Sequence, residues 1–476
     1  MDLLHSADRA IAENCLPPRK SWSQLTRLHD LTNISDVVYR GLVTAVPHGR
    51  DPTRFRFRLT RRFIPVQSGA AVSALPAEAT ISEITDLITF DTTSRDTNLP
   101  LIDHVVERLK AAGIESQMVP NAEGTKANLL ATLPAADGST SGGIVLSGHT
   151  DVVPVDGQDW SSDPFTPQVR DGKLYARGSA DMKSFIGVIL AKLPDLAAAK
   201  LKEPIHLAFS YDEEVGCVGA IDLVDTITEA GLAPRGCIVG EPSSMRVVRG
   251  HKSMNVFRVD FHGVAAHSSL TPEGVNSIAY AAEFVTFVHA VAAEFRTEGP
   301  FDENYVVPFT TVTANTISGG IAVNTIPAEA SVQFEFRSLG SVDREALVER
   351  FRAEAARLER MMRAENDSAR VDFTVEAAAP GCETPAEADI VSLAGQWGGE
   401  ISDDKVTYGT EAGLYSNAGI PTVVCGPGDI AQAHAPDEFI ELEQIAACEV
   451  FIGNLITDLS AEGDLGAAAD LSTAGK

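Results

Sequence analysis

Gly143-Ile144-Val145-Leu146-Ser147-Gly148-His149-Thr150-Asp151 is the stretch from which the fold is read. The run Gly143 to Leu146 is apolar and short, the mark of a buried strand. Side chains two apart on an extended chain point the same way, so His149 and Asp151 face one pocket at the strand end. A second stretch repeats the arrangement. Ile205-His206-Leu207-Ala208-Phe209 reads as a strand, and Ser210-Tyr211-Asp212-Glu213-Glu214-Val215-Gly216 follows it with adjacent acids. Strand ends that deliver a histidine and carboxylates to one edge of a sheet are how an α/β hydrolase gathers metal ligands.

Three more residues fit that picture. Asp181 lies in the small-residue turn Gly178-Ser179-Ala180-Asp181-Met182-Lys183, just ahead of a helix. Glu241 follows the strand-like Ile238-Val239-Gly240 and precedes Pro242. His434 lies in Ala431-Gln432-Ala433-His434-Ala435-Pro436-Asp437, beyond another strand. A hydrolytic pair of zinc ions needs neutral imidazoles and carboxylates, one of them bridging. It also needs a non-ligating acid or base to carry a proton. His149, Asp181, Glu214, Glu241 and His434 are the candidate ligands. Glu213, beside Glu214 but pointing away from it, is the candidate base. Asp151 is expected to accept the other ring N–H of His149 and fix its tautomer. Each feature alone has a plainer reading: a polar turn, a solvated acidic loop, a helix start, an N-cap. Their common position beside strands of one α/β body gives them joint weight.

Composition narrows the function classes. The net charge is −28, from 66 acidic and 38 basic residues, which disfavours nucleic acid and anionic membrane as partners. No run of about 18 apolar residues occurs, so no membrane span is expected. The six cysteines form no CxxC pair, and no secretory signal is seen, so reduced thiols in a cytoplasmic setting are expected. Residues 1–70 differ from the rest: eleven basic and six acidic residues give +5, leaving −33 for the remainder. This leader, with its Arg54-Phe55-Arg56-Phe57-Arg58-Leu59 alternation, is expected to be a disordered arm or to precede the true start.

The body begins near Thr80, where Thr80-Ile81-Ser82-Glu83 has capping-box spacing. Strands and helices then alternate to about Gly250, as in an α/β sheet. Helices are expected over 101–112, 183–199 and 219–230. Strands are expected over 127–133, 143–146, 204–210 and 237–239. After Gly250 the pattern changes to β-α-β-β-α-β: strands at 254–261, 310–317, 330–336 and 371–376, helices at 275–295 and 343–365. That order suits a ferredoxin-like α+β module. The α/β pattern resumes after Gly381. The expected division is a basic extension (1–75), a catalytic domain in two parts (76–251 and 381–462), an inserted domain (252–380) and a flexible tail (463–476).

The motifs together resemble the acetylornithine deacetylase / succinyl-diaminopimelate desuccinylase / carboxypeptidase G family of metallohydrolases. Ser147 to Pro154, Tyr175 to Lys183, Asp212 to Gly216, Gly240 to Ser243 and Ala433 to Glu438 each resemble one of its motifs. The resemblance implies a zinc-exopeptidase-like domain with a mostly parallel mixed sheet, and an inserted dimerisation lid. It implies two zinc ions per subunit, with cobalt as a possible substitute. His149 and Glu241 would hold one ion and Glu214 and His434 the other, with Asp181 between. Asp151 would be the catalytic aspartate and Glu213 the proton shuttle. His267, in Gly263-Val264-Ala265-Ala266-His267-Ser268-Ser269, would reach the partner's site in a homodimer. Asn324 and Arg337 resemble lid residues that meet a small N-acyl amino acid. The segment Tyr408-Gly409-Thr410-Glu411-Ala412-Gly413 resembles the acetylornithine-cleaving branch, with Thr410 and Glu411 expected at the substrate, Glu411 at its amino end.

Overall fold

The computed structural model describes residues 42–47, 55–60 and 75–461. The chain divides into two compact units, 1–70 and 71–476. In the first, Leu42–Pro47 pairs antiparallel with Phe55–Thr60, so Arg56 and Arg58 fall within a strand. The rest of the leader and the tail at 463–476 lie outside the described residues.

The second unit is built on a six-stranded sheet. Its order is Thr422–Gly426, Gly236–Pro242, Ile144–His149, Ile205–Ser210, Ala127–Leu133, Ser116–Pro120. The first four strands are parallel and Ala127–Leu133 alone runs against its neighbours on both sides, which makes it a mostly parallel mixed sheet. Strands covered on both faces read as continuous apolar runs. Ile144, Leu146, Leu207, Ile238 and Val423 face one core, with helices Glu78–Ile88, Leu99–Ala111, Lys183–Ala191 and Leu442–Leu459. Val145, Ala208, Cys237, Val239 and Val424 face another, with helices Val218–Glu229 and Ala412–Asn417. The Glu241 strand passes so near its covering helix that a Cβ at Gly240 would lie 2.1 Å from the Phe185 ring.

The segment 254–379 forms a separate layer. Its antiparallel sheet runs Thr311–Gly319, Glu329–Arg337, Met254–His262, Arg370–Ala379. Helices Ser277–Glu298 and Arg344–Glu365 cover one face around Phe257, Phe284, Phe334 and Phe351. Ser277–Glu298 is long and apolar enough to cross a membrane by length and composition alone. Here it packs on the sheet through Tyr280, Phe284, Val288 and Val291, while Glu283 and Glu294 pair with Arg357 and Arg350.

Two local expectations are corrected. The first helix starts at Glu78, two residues before Thr80, so no capping box forms; the Thr80 hydroxyl donates instead to the Glu449 carboxylate. The helix expected over 183–199 breaks at Lys192, and Pro194 opens a second one, Leu193–Ala198. Proline is tolerated in a first turn but not in a helix interior.

Candidate metal centre

The carboxyl ends of the parallel strands deliver the site, as open α/β sheets do. His149 ends its strand, Glu241 is the penultimate residue of its own, and Glu213 and Glu214 follow Ile205–Ser210. His434 comes from the loop after Thr422–Gly426, and Asp181 from the turn before helix Lys183–Ala191. His149 Nε2 lies 2.9 Å from Asp181 Oδ1 and 3.5 Å from Glu241 Oε1. His434 Nε2 lies 3.3 Å from Asp181 Oδ2 and 3.0 Å from Glu214 Oε2. Asp181 therefore turns one oxygen to each histidine, the posture of a bridging carboxylate. Two ligand groupings within 4.8 Å emerge, His149–Asp181–Glu214 and His149–Glu213–Glu241.

The electrostatics fit divalent cations. Glu214 Oε1 and Glu241 Oε1 are buried without a hydrogen-bond partner. Burial drives Glu213 up to about 8 and Glu214 up to about 7, and neighbouring carboxylates add to it. Burial and Asp181 push Glu241 well above the ordinary range. Burial opposes a proton on His149, but Glu241, Asp151 and Asp181 carry it well above its usual value. Asp181 and Glu214 lift His434 to about 10. Among the candidate ligands Asp181 is held low: burial would raise it, but the two histidines win. Buried acids short of positive charge, beside two imidazoles, are a donor set suited to zinc and its first-row neighbours.

The supporting shell departs from expectation at Asp151. His149 Nδ1 lies 2.9 Å from the Asp151 main-chain oxygen and 3.6 Å from its carboxylate, so the carbonyl orients the ring. The Asp151 carboxylate instead accepts from Ser94 Oγ (2.6 Å) and the Glu213 N–H (3.1 Å). It thereby anchors the base-bearing turn. Glu213 is buried, and its Oε1 accepts from the Cys217 thiol at 3.2 Å. Asp212, Cys217 and His434 all sit at positive φ (56°, 58° and 61°). Such strained backbone clusters where surroundings force a functional geometry.

The substrate-side expectations fare differently. Glu411 is fully buried, contrary to a place at the substrate's amino end: its oxygens accept from Ser147 Oγ (2.6 Å) and Ser210 Oγ (2.5 Å). Thr410 is buried too, with its hydroxyl 3.2 Å from His251 Nε2. Arg337 lines a cavity of about 240 Å³ with Lys252, Val307, Thr311, Thr407 and Tyr408. His267 is exposed and bonds Ser269, while Ser268 N–H donates to the Asn324 carbonyl. Among the described residues, none of their hydrogen bonds reaches the metal-ligand cluster. The sequence reading missed Lys183, whose buried Nζ donates to the Phe90 carbonyl at 2.7 Å. It also missed the buried Arg177–Glu438 pair. Lys183 and Arg177 flank the small-residue run Gly178-Ser179-Ala180, a signal available in the sequence.

A two-faced α/β domain whose strand ends gather two imidazoles around one shared carboxylate defines a metal-site hydrolase fold. Comparison makes this specific: the chain belongs to peptidase family M20/M25/M40, whose model matches residues 145–458. It is a hydrolase acting on amide bonds. It is 35% identical over 380 residues to the acetylornithine deacetylase of Myxococcus xanthus, covering 78% of this chain and 95% of that protein. It is 34% identical over 371 residues to that of Proteus mirabilis, covering 77% and 91%. A tripeptidase from Staphylococcus aureus shares the fold (TM-score 0.63, 19% identity, 81% of this chain and 99% of that one). So does a metallo-carboxypeptidase of the same family from Sulfolobus solfataricus (0.61, 16%, 80% and 99%).

Proposed function

We propose that this chain is a dinuclear zinc amidohydrolase that cleaves N2-acetyl-L-ornithine to L-ornithine and acetate, a step of arginine biosynthesis. The observation that carries the reading is Asp181, with one oxygen toward His149 and the other toward His434. The relatives' near full-length match supports the acyl amino acid. His149 and Glu241 would hold one ion, Glu214 and His434 the other, and cobalt could replace zinc. The ions would supply Lewis acidity to the scissile carbonyl and lower the pKa of the attacking water. Glu213 takes that water's proton and passes it to the leaving nitrogen. Asp151 keeps Glu213 aimed through its main-chain N–H. Arg337 faces the substrate carboxylate, for which its fork of donors is suited.

The inserted segment supports a homodimer as part of this reading. Thr311–Gly319 is a sheet edge, and Ile317, Ile321 and Val323 beside it are exposed. Unpaired apolar edges seek a partner. In the dimer, His267 of a second copy would donate to the oxyanion, with Asn324 close by.

A second reading keeps the chemistry and changes the substrate. Lys252 and Arg337 line the same cavity, and two cations suit an acyl amino acid bearing a further carboxylate. Purified enzyme is assayed on acetylornithine, acetylmethionine, succinyl-diaminopimelate and a dipeptide, before and after chelation. Acetylornithine should give the highest kcat/KM, and chelation should abolish it. A faster dianionic substrate selects the second reading, and chelator-resistant turnover overturns both.

A further inference from the structure

Asp181 and His434 meet in space but come from loops distant in sequence, and something must set their spacing. The structure supplies a connected network. Glu438, four residues after His434, is buried, and its Oε1 accepts from the main-chain N–H groups of Ala180 (2.8 Å) and Asp181 (3.2 Å). Its Oε2 accepts from Arg177 Nη1 at 2.7 Å. Arg177 is equally buried. Its Nη2 donates to Gln158 Oε1 (2.7 Å), and Gln158 Nε2 donates to the His434 carbonyl (3.0 Å). The guanidinium lies 5.1 Å above the Trp160 ring, whose Nε1 also donates to Gln158 Oε1 (2.9 Å). One carboxylate and one guanidinium thus hold the Asp181 turn and the His434 loop in a single frame.

We infer that Arg177 and Glu438 are positioning residues that fix Asp181 relative to His434 and so set the affinity for the ion on the His434 side. The inference rests on the two-ion reading. Arg177 Nη1 also reaches the Ala435 carbonyl, next to His434, at 3.5 Å, and among the described residues neither side chain hydrogen-bonds the Glu213 carboxylate. The pair's geometry argues against a merely stabilising contact. The Glu438 carboxylate is spent on two consecutive peptide N–H groups ending at the bridging residue itself. Charge-assisted bonds to the groups that orient ligands are where metal affinity is tuned, and losing one weakens binding about 10- to 100-fold.

The test compares full-length unsubstituted chain with E438Q, R177M and Q158A. Each is stripped with chelator and titrated with zinc and with cobalt(II). Elemental analysis counts the ions, calorimetry gives the stepwise constants, and cobalt absorption reports ligand geometry. E438Q and R177M should keep one ion near its original affinity and weaken the other about 10- to 100-fold, with the cobalt spectrum of that ion altered. Q158A should weaken the same ion by less. A purely structural pair would lower the unfolding temperature of the stripped protein and leave both constants unchanged. Constants and spectra unchanged in E438Q and Q158A overturn the inference. If E438Q and R177M do not fold, Q158A decides alone. If the unsubstituted chain takes up a single ion, the two-ion reading fails instead. The clamp then stands or falls on whether Q158A shifts that one constant.

Discussion

Glu213 and Glu214 are neighbours in the chain with opposite assignments. Glu214 meets His434, while Glu213 is turned into the buried space beside His149 and Glu241. The difference is testable. Glu213→Gln should bind the same number of ions and lose about 10²–10⁴-fold in kcat, the usual range for a removed general base. Elemental analysis beside steady-state kinetics checks it, and near-normal turnover would remove Glu213 from its role. The site also predicts a pH dependence. Glu213 and Glu214, near 8 and 7, and Glu241 sit above their unfolded values, as do His149 and His434. Folded metal-free protein therefore holds more protons than unfolded chain between about pH 5 and 8, so its stability falls as pH rises. Asp181, held low, acts only at acidic pH. Ions displace these protons. The stability gap between zinc-loaded and stripped protein should widen from pH 6 to pH 8.5, read by denaturant unfolding of both. A gap that narrows would contradict the cluster's charge pattern.

At the scale of elements, Glu411 joins two strands. Ser147 stands two residues before His149, and Ser210 ends the strand that leads to Glu213, so one carboxylate clamps two ligand-bearing strands from beneath. The Tyr415 hydroxyl donates into the same network through Ser147 at 2.8 Å. Glu411→Ala should cost about 1–3 kcal/mol for each hydroxyl left buried and unpaired. Glu411→Gln should cost less, because an amide still meets one hydroxyl with its oxygen and the other with its nitrogen. Urea unfolding of both variants checks the order, and an alanine variant as stable as the parent would remove the clamp. The sequence shows why this was misread. A glutamate after Gly409-Thr410 carries a charge but no burial signal, since its partners lie more than two hundred residues away. The candidate ligands stand out in the sequence because each follows an apolar run or small-residue turn. Strand positions were legible for the same reason, being buried on both faces. Asp151 was half legible: its place near His149 follows from alternation, but which of its oxygens meets the ring depends on the turn beyond. Thr80 and Glu83 had the right spacing for a cap, yet the Glu449 carboxylate on a distant helix outcompeted it for the hydroxyl.

At the scale of the molecule, the ligands and the inserted layer do not share a core. Phe334 stacks on Phe257 at 5.0 Å and meets Phe284 and Phe351 at 5.4 and 4.7 Å, all within 254–379. Every metal-ligand candidate lies outside that segment. A metal ion held by those candidates would therefore stabilise one set of packed residues directly and the other only through what connects them. A ligand at a hundred times its Kd adds about 2.7 kcal/mol to the part that binds it. Phe334→Ala removes about 3–5 kcal/mol from the other part by leaving a cavity. Calorimetry should then resolve two transitions in the variant. The lower one should be insensitive to zinc, and the upper one should move with zinc as in the parent. Metal stoichiometry should stay unchanged while kcat/KM falls, because the face that carries His267, Asn324 and Arg337 is loosened. A single transition that shifts as a whole with zinc would mean that the two layers unfold as one. The inserted domain would then be part of the metal centre's own stability rather than a separately folded wall of the substrate site.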